Sequence, residues 1–115
     1  MREKRDFNFF LQDSLNSIGQ IKFYVKDMTF KEYLDDKKTQ DAVIRNLEII
    51  GEASKNIPKD IKENYPDIPW KEIAGMRDKI AHEYFGVDLK IVWQTIQEDL
   101  PFYEKTINRI KKDLF

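Results

Sequence analysis

One stretch of the chain concentrates residue types suited to chemistry: Trp70-Lys-Glu-Ile-Ala-Gly-Met-Arg77-Asp78-Lys-Ile-Ala-His82-Glu-Tyr84-Phe-Gly86. His82 is the only histidine among 115 residues, and there is no cysteine. Imidazole is the side chain best matched to proton transfer near neutral pH. A permanently charged guanidinium beside it suits an anionic phosphate, or the charge that grows on one during reaction. Without a nucleophile or a metal cluster, such a pair points to phosphodiester cleavage in which RNA supplies its own 2′-hydroxyl. The same composition excludes other chemistries. Without cysteine there is no disulfide framework, thiolate zinc site or cysteine nucleophile. A single histidine excludes any site that draws two or three imidazoles from one chain.

A helix must hold these residues, and its faces can be worked out at about 100° per residue. With Arg77 at 0°, Ile73, Ile80 and Met76 fall near roughly 320°, 300° and 260°, and Trp70 near 20°. The apolar stripe therefore centres at about 310°, while His82 falls at about 140°, almost opposite it. A core role for His82 is thus the wrong face. Two readings stay open: a surface histidine favoured by the dipole in the last helical turn, or part of a polar arc with Arg77 and Asp78. Asp78 lies one turn below His82, where it either orients the imidazole and raises its pKa or pairs with Lys79 or Lys71 as a surface carboxylate. Tyr84, at the edge of the stripe, reads as a partly buried aromatic with a wet hydroxyl.

The spacing Arg77-x4-His82-x-Tyr84 matches the R-x4-H-x-Y motif of HEPN ribonucleases. By ordinary residue frequencies it arises by chance in roughly one in a few hundred chains of this length. The flanking text, RNLEIIGEASKNIP at 45–58 and PWKEIAGMRDKIAHEYFGVDLKIVWQTI at 69–96, resembles the HepT-like branch of that superfamily over essentially the whole chain. The resemblance implies a small helical bundle that forms a homodimer, with the two motif helices meeting across the two-fold axis. It also implies RNA cleavage without a metal or other cofactor. His82 would be the general acid or base on the 2′-hydroxyl and leaving oxygen, Arg77 would hold the phosphate charge, and Asp78 would support them. HepT-like proteins resemble toxins whose antitoxin is a small MNT-type nucleotidyltransferase that transfers AMP to the motif tyrosine, here Tyr84. A bulky anion on that phenol would fill the cleft and repel an RNA phosphate. The implied substrate is RNA, with tRNA favoured. Arg45 and Asn46 become RNA or supporting contacts under the same resemblance; read alone, they are a solvated helix face. A rival from another class is a non-catalytic helical adaptor that binds a nucleotidyltransferase, although an adaptor would not need Arg77, His82 and Tyr84 together.

The length fits one domain over residues 1–115. Charged residues make up 36%, against a usual share of roughly 25%, but 20 basic and 21 acidic residues nearly cancel. Eight Phe, five Tyr and two Trp give core material that a disordered chain lacks. A net charge of -1 argues against a broad nucleic-acid coat, though not against a small basic cleft. No apolar run approaches the roughly 18–20 residues of a membrane span, and MREKRDFNFF lacks the apolar run of a secretory signal. The expected setting is cytoplasmic.

Helical periodicity dominates the rest, which predicts an all-α, mostly antiparallel bundle of four to five helices. Phe7, Leu11, Ser14, Ile18, Ile21, Val25 and Met28 form a first stripe, widened by Phe10 and Leu15, with Gly19 tolerated inside it. Thr29 to Glu32 reads as a capping box for a short helix through Leu34. Residues 35–38 form a polar connection, and Thr39 caps a helix carrying Val43, Leu47, Ile50 and Ile57, with Ile44, Gly51 and Lys55 beside them. A short segment spans 58–64, a loop spans 65–69, and Pro69 opens the helix that carries the motif, running to about Glu83 and ending near Gly86. Asp88 caps a last region with Ile91, Trp93, Ile96, Leu100, Tyr103, Ile107, Ile110 and Leu114, which Pro101 must kink or divide. Trp93, Phe102 and Tyr103 are read as core rather than as base-stacking platforms.

Overall fold

The fold is taken from a computed structural model, which describes residues 2–75 and 88–115, with side chains from residue 7 onward. Every regular element among the described residues is helical, as the periodicity requires. The first helix, α1 (Arg2–Val25), is 24 residues long and runs through Gly19 without interruption. Phe7, Leu11, Ser14, Ile18, Ile21 and Val25 are all buried along one side of it. Met28 is only half-buried, because the helix stops at Val25 and Asp27 turns the chain with φ 59°.

The capping box is present as expected. The Glu32 N–H donates to Thr29 Oγ1 at 3.1 Å, and the Thr29 N–H donates to Glu32 Oε1 at 2.8 Å, starting α2 (Phe30–Leu34). That backbone hydrogen bond, helped by the Thr29 side chain, holds the Glu32 carboxyl below its ordinary pKa.

The next cap differs from expectation. Asp36, not Thr39, caps α3 (Lys37–Lys55): its Oδ1 accepts from the Thr39 N–H at 3.0 Å and its Oδ2 from the Thr39 hydroxyl at 2.7 Å. A carboxylate offers two acceptors to the third residue of the helix, so the aspartate wins the cap and the threonine becomes its donor. The helix buries Val43, Ile44, Leu47, Ile50 and Gly51, with Ile57 just beyond its end. Lys55, placed beside that face in the sequence reading, is exposed. The buried Gln40 amide donates to the carbonyls of Tyr33 at 2.9 Å and Leu34 at 3.1 Å, tying the end of α2 to α3.

A short α4 (Lys59–Asn64) follows Pro58, and the chain then loops to a helical segment over 70–75, here α5. Pro69 stands one residue before that helix, where its carbonyl accepts the first helical bond from the Ile73 N–H at 3.0 Å. At the other end Asp88 caps α6 (Leu89–Gln94) as predicted, its Oδ1 accepting from the Lys90 N–H at 2.9 Å.

Of the two outcomes read for Pro101, a kink or a division, division does not occur. A π-helical turn, Thr95–Asp99, joins α6 directly to α7 (Leu100–Leu114). Proline lacks an N–H and its ring presses on the carbonyl four residues back. Here the ladder has already slipped to a wider step, with the Leu100 N–H bonded to the Thr95 carbonyl, so the proline falls at the start of a new frame. The slip also rotates the residues before it. Val92 is buried where Ile91 was expected, and Ile91 is 50% exposed. Ile96, Leu100, Tyr103, Ile107 and Ile110 are buried as predicted, Trp93 and Leu114 partly so, but Phe102 is 45% exposed and not core.

The all-α class stands, arranged as three long rods (α1, α3 and 89–114) with the short α2 and α4 and the start of α5 between them. Helix α1 packs on α3 and α7, closing a core to which Tyr33 and Trp70 also contribute. Among the described residues no helix is long and apolar enough to cross a membrane.

Candidate functional site

Arg77, Asp78, His82 and Tyr84 lie outside the described residues. What the structure does fix is the chain on either side. Trp70 opens α5 and is 9% exposed; its indole Nε1–H donates to the Tyr65 carbonyl at 3.0 Å. Its ring meets Tyr103 of α7 edge-on, with centroids 5.8 Å apart, and Lys62 Nζ sits 5.9 Å from its centroid. Burial there lowers the Lys62 pKa. One side chain thus pins the first turn of α5 to both α4 and α7, seven residues before Arg77.

The preceding loop is pinned as well. The Tyr65 hydroxyl donates to Asp113 Oδ2 at 2.7 Å, and that bond, followed by burial, raises the phenol's pKa. The Arg109 guanidinium lies 5.1 Å from the Tyr65 ring centroid and 3.5 Å from Asp67 Oδ1. These contacts bind the C-terminal end of α7 to the loop before α5. On the far side, the Asp88 cap fixes where the chain resumes.

Beside α5 opens a groove of about 710 Å³ between α3, α5, the π turn and α7. Ile50, Ile73, Leu100 and Tyr103 are among its apolar lining, and Glu72, Glu98 and Asp99 bring carboxylates to it. Those carboxylates would repel an RNA backbone, so the groove's described side chains supply no phosphate site. Phe102 and Ile91 also face it, and both had been read as core. The one signal available for Phe102 was phase: it falls outside the steps from Leu100 to Tyr103 to Ile107.

The remaining predicted residues are on α3. Arg45 is exposed, which a solvated helix face and a phosphate contact both require. Asn46 is half-buried, and its Nδ2 donates to the Ala42 carbonyl at 2.9 Å, so its amide is committed to its own helix. Among the described residues no group of three or more His, Cys, Asp or Glu could hold a metal ion.

Comparison with known proteins shows the family. A family model described as "Ribonuclease HepT-like" matches residues 14–110. The chain belongs to the HepT-like ribonuclease family. It is 49% identical over 109 residues to "Probable ribonuclease HepT" of Thermococcus cleftensis, covering 95% of this chain and 99% of that one. It is 51% identical over 111 residues to a Methanocaldococcus jannaschii protein also named for RNase activity, covering 96% of each. A Caldanaerobacter subterraneus relative named in the same way is 50% identical over 86 residues, 75% of this chain and 77% of its own. No solved structure matches the chain. Ribonuclease is thus the activity that this HepT-like family carries in its name.

Proposed function

We propose that this HepT-like chain is a metal-independent endoribonuclease and the toxin of a HEPN/MNT toxin–antitoxin pair. The observation that carries the reading is identity near one half, over almost full length, to relatives named as ribonucleases, in a chain that keeps Arg77, His82 and Tyr84 at the R-x4-H-x-Y spacing. In the reaction the RNA 2′-hydroxyl attacks the adjacent phosphorus, the P–O5′ bond breaks, and a 2′,3′-cyclic phosphate and a 5′-hydroxyl result. His82 takes the proton from the 2′-oxygen or gives one to the leaving 5′-oxygen. Arg77 holds the negative charge on the non-bridging oxygens, and Asp78 orients His82.

The chain works as a homodimer in the cytoplasm, with tRNA the favoured substrate and Arg45 and Asn46 as outer contacts. Since the Asn46 amide is engaged with Ala42, Arg45 is the stronger of the two for direct phosphate contact. The antitoxin, an MNT-type nucleotidyltransferase, silences the site by transferring AMP to the Tyr84 hydroxyl. The adenylated phenol carries a phosphodiester anion where an RNA phosphate would lie.

The test is RNA cleavage by protein made without its partner, in EDTA, beside His82→Ala. Wild-type cleavage leaving 2′,3′-cyclic phosphate ends, reduced about 10²–10⁴-fold in the variant, is the expected result. Equal activity in both samples refutes the assignment of His82. No cleavage by either, with intact mass showing unmodified Tyr84, favours the non-catalytic adaptor.

A further inference from the structure

The outward face of α1 is built differently from the rest of this charge-rich surface. Phe9 and Phe23 are 71% and 74% exposed, the two most exposed large apolar side chains among the described residues. Between them the exposed positions are Gln12, Asp13, Asn16, Gly19, Gln20 and Lys22; of the two charges, Lys22 lies at the flank, paired with Glu104 of α7 at 3.2 Å, which leaves Asp13 as the one charge on the outward face. The buried stripe of Phe7, Leu11, Ser14, Ile18, Ile21 and Val25 occupies the opposite side of the helix.

The spacing is that of a helix-pairing seam. Phe9, Gln12, Asn16, Gly19 and Phe23 follow one another at steps of three and four, the 3.5-residue repeat of packed helices. Gly19 stands within this seam although nothing in its own chain asks for glycine: a Cβ added there meets no atom within 4 Å. Glycine inside a helix costs about 1 kcal/mol relative to alanine. A second backbone approaching closely would explain its presence.

The pattern is also self-complementary. With Asp13 and Gln20 included, the outward face is symmetric about Asn16, so two copies of α1 laid antiparallel across a two-fold axis at Asn16 bring Phe9 of each against Phe23 of the other. The same operation sets Gln12 opposite Gln20, and Gly19 opposite Asp13. The two Asn16 amides meet on the axis, where a carboxamide both donates and accepts. The Gln12 amide already donates to Asn16 Oδ1 at 2.9 Å, holding the central side chain along the seam. Four phenylalanines at this exposure contribute roughly 600 Å², about half of the ~1,200 Å² at which stable interfaces begin, and the amide stripe supplies further area.

We propose that α1 is an interface for a second copy of this chain, paired antiparallel with Asn16 on the two-fold axis. The seam is on a different helix from Arg77 and His82, so it holds whether or not the chain also pairs through the motif, in which case it joins dimers into tetramers.

The chain's lack of cysteine allows a direct test. Under mild oxidation Asn16→Cys should convert most of the protein to a disulfide-linked pair. Phe9→Cys alone should not, because its two copies would stand about 20 Å apart by helix rise, whereas Phe9→Cys with Phe23→Cys should cross-link again. Sedimentation of Phe9→Glu with Phe23→Glu, both at exposed positions, should show half the wild-type mass at equal helicity. Cross-linking of Phe9→Cys alone would mean parallel pairing and overturn the register. No cross-linking of Asn16→Cys, or an unchanged mass for the double glutamate variant, would overturn the interface.

Discussion

Tyr33→Phe should make the protein more resistant to alkali without weakening it at neutral pH. Tyr33 is fully buried on α2, stacked at 5.3 Å against Trp93, and its hydroxyl has no hydrogen-bond partner. Burial first, and the Asp41 carboxylate second, push its phenol up from 10.0 to about 12. In the unfolded chain it ionises near pH 10, in the folded one near 12. A raised acid gives its full contribution below the unfolded value and loses it as pH climbs to the folded one. Two pH units correspond to about 3 kcal/mol lost between pH 10 and 12, and about 1.4 kcal/mol is gone at pH 11. Phenylalanine keeps the ring and has nothing to ionise. Urea unfolding at pH 8 and pH 11 reads the difference directly. At a slope of about 1.4 kcal/mol per molar, the variant's midpoint should rise relative to wild type by ~1 M between the two pH values. At pH 8 it should equal wild type or exceed it slightly, because an unpartnered buried hydroxyl is removed. A gap that does not widen with pH would refute the reasoning. So would a variant already less stable by 1 kcal/mol at pH 8, since that would mean the hydroxyl is bonded.

Asp27→Gly should stabilise the protein by about 0.5–1 kcal/mol, because φ 59° places a β-carbon in the left-handed region just past α1; a lower thermal midpoint would show that the aspartate side chain supports the turn. Thr29→Ala should cost about 1 kcal/mol through the lost cap on α2. The Glu32 carboxyl in that variant should titrate closer to its ordinary value by NMR, and an unmoved titration would separate it from the capping box. Trp70→Phe should cost about 1–2 kcal/mol in urea, since the Tyr65 carbonyl loses its indole donor. On the proposed function it should also lower RNA cleavage at temperatures where the fold is intact, and unchanged activity would show that anchoring α5 does not govern the motif.

Long periodic segments were legible in the sequence because burial imposes its period on many residues at once. The α1 stripe shows this: six of its seven predicted positions are buried, and the seventh fails only because the helix has ended. Short elements are less legible. Tyr33 sits in a five-residue helix, too short for a period to emerge, and its burial depends on Trp93 sixty residues away. Competition between adjacent caps is equally local and equally hidden: Asp36 and Thr39 are both good capping residues, and only the two-acceptor geometry of the carboxylate decides. Pro101 illustrates a third case, in which only one of two alternatives was excluded. Its rule is sound, since the helix cannot continue unaltered through it, but the chain answers with a π turn two to six residues upstream and not with a break. The resulting slip exchanged Ile91 for Val92 in the core. The motif is read from the spacing of residues that lie outside the described ones, and it acquired a substrate only through family resemblance, since no single helix face specifies RNA.

Electrostatics constrain how RNA could be held on the proposed reading. The net charge is -1, and the groove beside α5 is bordered by Glu72, Glu98 and Asp99, so its described side chains do not draw the polyanion in. Each phosphate contact on a single strand contributes about 0.7 to the salt slope of binding, and a chain that nearly balances its charges can offer few of them. Affinity must then rest on a small number of cations near the reacting phosphate, Arg77 above all, with Arg45 an exposed candidate for the next. Such a site is easily closed. On the proposed function, one adenylyl group on Tyr84 would add an anion to the site itself, where a protein with an extensive basic surface would still hold its RNA elsewhere. The near-neutral composition is therefore compatible with a nuclease and is what would let one covalent anion silence it.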